Sequence, residues 1–496
     1  MADGKRPLRV LFVSSEAAPF AKTGGLGDVV GALPKALARR GIDVRVVMPL
    51  YAGIDWDALE RLEGPLHVPM WWGTARAAVR LGRLPQSEVP VYFIEYNRFF
   101  DRPHLYGPPG QAYDDNLERF TFLCRGALEL TKALRFVPDV VHAHDWQTAL
   151  VPVYVNTVEW ARPLHGAASV FTIHNLAYQG VGDGGGLFVT GLGPEHYNSA
   201  EFEHFGAMNL MKAALRHATM ISTVSPTYAR EIQIPEQGFG LDGVLRERAG
   251  DLVGILNGID TEHWDPATDP YIPENFTAED LSGKAVCKTA LQHEAHLPAA
   301  PGVPVFGVVG RLTSQKGFDV LAHCLHRLLG WHMQLVLLGS GDREAEHWFG
   351  VASARHPQAF KAWIGFDEGL AHRIEAGSDF FVMPSRYEPC GLSQMYSLRY
   401  GTPPIVRATG GLVDTVRGYS EQAGDGTGFL FQDLTPDALA NTIGWALSTY
   451  FDRPGHVERM RRRGMAEDNS WDHAAVLYER LYLDAYRRRR GHDFGP

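Results

Sequence analysis

Cysteine is scarce in this chain. The 496 residues hold four, Cys124, Cys287, Cys324 and Cys390, widely spaced and without a CxxC pair. That suggests no disulfide framework and no zinc site, and predicts a reducing compartment. No apolar stretch reaches the length of a membrane span. The run from Leu8 to Val13 is too short for a secretory core and leads into Ser14-Ser15-Glu16, so a cytoplasmic protein is expected. An excess of positive charge is also missing. Lys and Arg number 47 against 57 acidic residues, a formal net charge of −10, which offers no general attraction to nucleic acid or anionic membrane. The basic blocks Arg461–Arg463 and Arg487–Arg490 read as solvated helix ends.

What is present fits a soluble enzyme. Hydrophobic residues make up 45% and charged residues 21%, and the length allows two or three domains. Short apolar runs alternate with helical stretches, first VLFV, VRVVMP, PDVVHAHDW, ASVFTIHN and ATMISTVS. A second series follows from about Gly254: VFGVVGRLTSQKG, QLVLLGSGDREAE, KAWIGFDEG, DFFVMPSRYEPCG and TPPIVRATGG. This pattern predicts an α/β fold of two doubly wound domains with parallel sheets. The expected divisions are 1–253, 254–470, and a segment 471–496 whose helix packs back on the first domain. Ligands of such sheets sit beyond the carboxyl ends of the strands. That makes candidates of Glu16, His144, Asp145, His174, Asn175, Arg311 and Glu388.

The stretch Lys22-Thr-Gly-Gly-Leu-Gly-Asp28 follows the first strand. It is one residue too long for a dinucleotide G-x-G-x-x-G, and the second strand ends in no acid to hold a ribose. Its lysine precedes the glycines, unlike a phosphate-binding P-loop. Glycines at a helix start still let backbone N–H groups approach a phosphate or sugar; a plain tight turn is the alternative. In GRLTSQKG, Arg311 and Lys316 flank a strand-to-helix loop and suit a pyrophosphate leaving group. In RYEPCGLSQ, Glu388 precedes Gly391, Leu392 and Ser393 at a helix start. A carboxylate there can bind sugar hydroxyls or stabilise positive charge, or simply cap the helix. HAHDWQ places two histidines on one strand face, with no further ligand to complete a metal set. Trp146, Tyr178 and Tyr106 suit stacking on sugar rings.

KTGGLGD, HDW, HNLAYQG, TVSPTYA, LNGID, GRLTSQKG, PSRYEPCGLSQ and TGGLVDTV occur in this order over almost the whole chain. Together they resemble the bacterial glycogen synthases and plant starch synthases. The resemblance implies a GT-B fold, two Rossmann-like domains facing a deep cleft. It implies transfer of glucose from ADP-glucose to the non-reducing end of an α-1,4-glucan (glycogen or a maltooligosaccharide), with retention and without a metal or other cofactor. Eight positions after Glu388 stands Tyr396, where many other retaining transferases carry a second glutamate. Matching positions imply that Lys22, Gly24 and Gly25 contact the donor phosphates and Asp28 lies near the nucleotide. Arg311 and Lys316 match cations on the pyrophosphate, and Glu388 the essential glutamate near the transferred glucose. Gly391, Leu392 and Ser393 match phosphate and sugar contacts. His174 and Asn175 match residues beside the glucose, and Asn257 another sugar contact. Glu16, Tyr106, Asp145 and Trp146 resemble acceptor-side residues. Two positions depart from the pattern: Gln147 stands where histidine is common, and Phe366 where a tyrosine stacks on the base.

Competing readings keep the fold. Another sugar nucleotide such as UDP-glucose could serve as donor. A glucan phosphorylase would need a lysine-held pyridoxal phosphate, for which no motif is present. A retaining hydrolase would pair two carboxylates, and no second one accompanies Glu388. A catalytically silent glucan-binding protein would not need Lys22, Arg311, Lys316 and Glu388 intact.

Overall fold

A computed structural model of the chain describes residues 6–108, 110–160 and 162–495. The chain forms two compact units. One contains the residues up to Gly258 and those from Trp471 on, the other Ile259–Ser470.

The first unit is built on a sheet whose parallel part runs in the order Leu252–Gly254, Met220–Thr223, Ala168–Ile173, Val140–His144, Arg9–Val13, Asp43–Pro49 and Pro90–Glu95. Gly73–Arg83 adds antiparallel to the last of these. Val10 pairs with Val44 on one side and Val140 on the other. The chain thus winds outward in one direction from Arg9–Val13, then returns to its other side at Val140–His144. This reversal is the topological switch point, where parallel sheets open a crevice at their carboxyl ends. Strands such as Val140–His144 and Ala168–Ile173 are buried at every residue, as strands covered on both faces are, and carry His142, His144, Ser169 and Thr172 among their apolar residues.

Helix Gly25–Arg39 follows the glycine stretch. Leu26, Val29, Val30, Leu33 and Leu37 form its buried face, a 3.6-residue stripe. Helix Trp471–Arg490 packs against it within the same unit. Tyr482 hydroxyl meets His142 Nδ1 at 2.8 Å, and Arg489 donates to Asn156 Oδ1 at 2.8 Å.

The second unit has a parallel sheet in the order Phe360–Ile364, Gln334–Gly339, Val305–Val309, Phe380–Met383, Pro404–Arg407 and Phe429–Phe431. Its switch point lies between Val305–Val309 and Phe380–Met383. The two-residue period divides these strands between two cores. Phe306, Leu335, Leu337, Phe380 and Val382 face one helical layer, while Val305, Val336, Leu338, Phe381 and Met383 face the other. Each fully buried side chain of this size contributes roughly 1.5–3 kcal/mol.

Two buried charged groups of the second unit each keep several partners. Lys284 donates to Ala376 O, Tyr400 O and Thr402 Oγ1 at 2.6–2.9 Å, and burial pulls its pKa down to about 7. Asp379 accepts from Lys288 Nζ at 2.7 Å, Arg461 at 2.6 Å and Val305 N at 2.9 Å. All four cysteines are free and buried. No helix among the described residues is long and apolar enough to cross a membrane.

The two kinds of ion pair predict different costs. Asp379→Ala leaves two cations and an N–H without their acceptor and destabilises the second unit by about 3–5 kcal/mol. Asp472→Ala breaks the exposed Arg39 pair, whose side chains are 60% and 70% accessible, and costs under about 1 kcal/mol. Urea unfolding of both variants against the parent checks the contrast.

Candidate active site

In the second unit two loops meet at the switch point. The strand Val305–Val309 runs into Gly310-Arg311, a single 3-10 turn at Ser314–Lys316, and then helix Phe318–Leu329. Gly317 between them has φ +69°, and a Cβ there would lie 1.9 Å from Pro384 O. Only glycine allows this approach. Arg386 N then donates to Gln315 O at 2.8 Å, which ties the loop to the one following Phe380–Met383. The result sets Lys316 Nζ 2.6 Å from Glu388 Oε2. Glu388 is buried, and the same oxygen accepts from Ser385 Oγ at 2.9 Å. Arg311 is exposed beside this pair in sequence, with no ion-pair partner among the described residues.

Glu388 lends its carbonyl to Gly411 N at 3.0 Å. Gly391 has φ +73°, and helix Ser393–Arg399 starts after Leu392, which caps it without a side-chain hydrogen bond. Gly391, Leu392 and Ser393 are each partly exposed. Phe366 stands 83% exposed on the loop between Phe360–Ile364 and helix Glu368–Gly377. The Tyr396 ring stacks on Trp264 at 3.8 Å between centroids.

In the first unit the loops also leave the switch point. Glu16 is buried and its carboxylate is fully engaged. Oε2 accepts from Thr23 N at 2.6 Å, and Oε1 from Thr23 Oγ1 at 2.7 Å and Tyr106 hydroxyl at 2.5 Å. It thereby fixes the stretch that carries Lys22. Burial, then the Glu16 charge, holds the Tyr106 hydroxyl well above its usual pKa, so it stays a donor. Lys22 Nζ pairs with Asp28 Oδ1 at 2.6 Å on a partly exposed surface. Gly24 is extended, with φ −169°, and Gly25 begins the helix.

Asp145 takes φ +56° and ψ −178°. Its Oδ1 accepts from His174 N at 2.7 Å, and burial pushes its pKa up to about 7, with Glu16 adding to the shift. His174 Nε2 meets His144 Nδ1 at 3.0 Å. Asn175 turns its Oδ1 back to Ala177 N at 3.1 Å. Trp146 packs edge-on against Phe120 at 5.2 Å and lies where a Cβ on Gly180 would stand. The Gln147 carbonyl accepts from Cys124, and Asn257 is buried in the same unit.

The comparisons with known proteins bear on this arrangement. A family of starch synthase catalytic domains matches residues 9–247, and group 1 glycosyl transferases match residues 292–465. Glycogen synthase 1 of Geobacter sulfurreducens is 51% identical over 488 residues, covering 98% of this chain and 97% of its own. Glycogen synthase of Anaeromyxobacter dehalogenans strain 2CP-1 is 52% identical over 487 residues, covering 96% and 98%. The chain belongs to the glycogen and starch synthase family. Among solved structures, the catalytic domain of starch synthase IV from Arabidopsis thaliana, bound to ADP and acarbose, matches with a TM-score of 0.90 at 34% identity, covering 97% of this chain and 99% of that one. The fold is therefore GT-B, and the chain is a glucosyltransferase of the glycogen synthase type.

Ser385 and Gly317 lie inside motifs that do not single them out, and Trp264 lies in none; Ser385 and Gly317 hold Glu388 and Lys316, and Trp264 backs Tyr396. The glycine directly after Lys316 is the one sequence signal for the positive φ there.

The histidine cluster predicts an acid response. Burial lowers the His174 pKa from 6.5 to about 3 and those of His142 and His144 well below 6.5. Between the folded and unfolded values the unfolded chain binds more protons, so stability present above pH 6.5 is lost as pH falls. The His174 imidazole costs about 2 kcal/mol at pH 5, or roughly 4–8 °C in Tm for a unit of this size. The drop in Tm between pH 7.5 and pH 5 is expected to shrink by that amount in His174→Gln. An equal drop in parent and variant would assign the response to other groups.

Proposed function

We propose that the chain transfers glucose from ADP-glucose to the non-reducing end of an α-1,4-glucan, with retention of anomeric configuration and release of ADP. The observation that carries this reading is the Lys316–Glu388 pair at the switch point of the second unit. It joins a cation suited to a phosphate with a carboxylate suited to a sugar, in a chain of this family.

Negative charge grows on the ADP phosphates as the glycosidic bond breaks. Arg311 and Lys316 are the groups suited to stabilise it. Glu388, held by Ser385 and Lys316, serves the glucose, whose anomeric carbon becomes positively charged in an oxocarbenium-like state. Gly391, Leu392 and Ser393 supply phosphate and sugar contacts, and Phe366 offers an exposed ring to the base. In the first unit, Lys22 with the backbone at Gly24 and Gly25 serves the donor phosphates, Asp28 lies by the nucleotide, and Asn257 contacts sugar. A Cβ on Gly24 would meet no protein atom within 4 Å, so the backbone there stands open to a ligand. His174 and Asn175 contact the glucose. With its Nε2 engaged by His144, His174 has Nδ1 left for a sugar hydroxyl, in a neutral ring. Glu16, Tyr106, Asp145 and Trp146 form the acceptor side, the first three through the loops they brace.

The acceptor hydroxyl attacks from the face that the leaving group departs, and a departing phosphate oxygen takes its proton. The steps assigned here run through side chains and the substrate alone, with no metal or other cofactor. Four buried cysteines without a CxxC pair suit a reducing cytoplasm.

The test is glucose moved from labelled ADP-glucose or UDP-glucose, in parallel, into glycogen. Transfer from ADP-glucose is expected, with losses on the order of 10²–10³ in kcat for Arg311→Ala and Lys316→Ala, and loss of transfer in Glu388→Ala. Transfer from UDP-glucose alone would overturn the donor. Glycogen bound without transfer from either would overturn the enzyme reading for a glucan-binding one.

A further inference from the structure

One polar cluster in the second unit has no part in the glucosyl transfer. Glu368 opens helix Glu368–Gly377, and His372 follows one turn later on the same face. His263 comes from the segment after Ile259. One ligand atom from each of the three residues lies within 4.8 Å of the others. His263 Nε2 and Glu368 Oε1 are 3.1 Å apart, near the roughly 3.3 Å between two ligands that each stand about 2.0–2.1 Å from one tetrahedral ion.

His372 is the unusual member. It is wholly buried, and its Nδ1 meets Asp269 Oδ2 at 2.7 Å. The same carboxylate oxygen accepts from Tyr400 hydroxyl at 2.5 Å. Trp264 stacks on the ring at 3.7 Å and 11°, which fixes its plane. Yet His372 Nε2 is buried with no hydrogen-bond partner among the described residues. If His263 and Glu368 formed only a surface pair, that nitrogen would stay an unpaid cost of burial. A carboxylate on Nδ1 with a bare lone pair on Nε2 is how metal-binding histidines are oriented. The side chains of His263 and Glu368 are 42% and 49% exposed, so an ion can enter from solvent.

We propose that His263, Glu368 and His372 bind one divalent transition-metal ion, zinc by preference, with water completing the coordination. Two imidazoles and one carboxylate suit zinc and disfavour magnesium or calcium, which take oxygen sets. The ion would tie the segment after Ile259 to the start of the helix that follows Phe366. Its role is structural, because Trp264 lies between His372 and Tyr396.

The experiment uses the untagged full chain, stripped with a chelator, dialysed against equimolar ZnCl2 and analysed for metal per chain. CoCl2 in its place reports the ligand field by visible absorption. About one zinc per chain is expected, with at least ten-fold weaker binding in His263→Ala and in Glu368→Gln. Both changes are at exposed positions, and circular dichroism verifies their folding. No zinc above the chelated background, or equal retention by the parent and both variants, would overturn the site.

Discussion

The second unit's site depends on one close approach, that of Gly317 to the carbonyl of Pro384. Parallel strands deliver their loops to the same edge of the sheet, but adjacency alone leaves those loops several ångströms apart. A residue with a Cβ at position 317 would collide with the Pro384 oxygen and would resist the positive φ. With glycine, the loop after Val305–Val309 lies down on the loop after Phe380–Met383, and the Arg386–Gln315 backbone bond closes the contact. Only then does the Lys316 ammonium reach Glu388. The ion pair is thus a consequence of backbone packing, and its strength is set by geometry fixed before any ligand arrives.

The first unit solves the same problem with side chains. Its switch point lies between Arg9–Val13 and Val140–His144, and the residues just past those strands are carboxylates. Glu16 spends both oxygens on Thr23 and Tyr106. Asp145 spends one on the backbone of His174. Each carboxylate clamps the next loop rather than standing free in a pocket. The cost is visible in Asp145, where burial favours the protonated form, and the bond to His174 N offsets only part of it. In the proposed function, these acceptor-side positions would act through the loops they hold.

The architecture was legible because its causes are local. Apolar runs such as VFGVV and QLVLL are short, lie between helical stretches and end in polar residues, which is what a strand covered on both faces requires. The places of the motif residues, at strand ends and helix starts, were legible for the same reason. What stayed hidden depends on pairs that only the folded backbone brings together. Ser385 looks like any loop serine until Glu388 Oε2 lies 2.9 Å away. His142 and His144 suggested a shared face, but not that His142 would bond Tyr482, 340 residues later. Asp28 looked like a nucleotide contact, and its pairing with Lys22 needed the turn between them.

Tyr396 joins these two kinds of information. In the sequence it is only the residue eight places after Glu388 that is not a second glutamate. In the structure its ring forms one face of a stack, Tyr396 on Trp264 on His372, with both interplanar angles near 10° (10° and 11°). A carboxylate at 396 would remove one face of Trp264 and set a charge against an indole ring, whose face is electron-rich. Tyr396 lies within helix Ser393–Arg399 and Glu388 on the loop before it, so the stack steadies the element whose start follows Glu388. The tyrosine at 396 thus has a packing role in this chain, and Glu388 is left as the one carboxylate in residues 384–399.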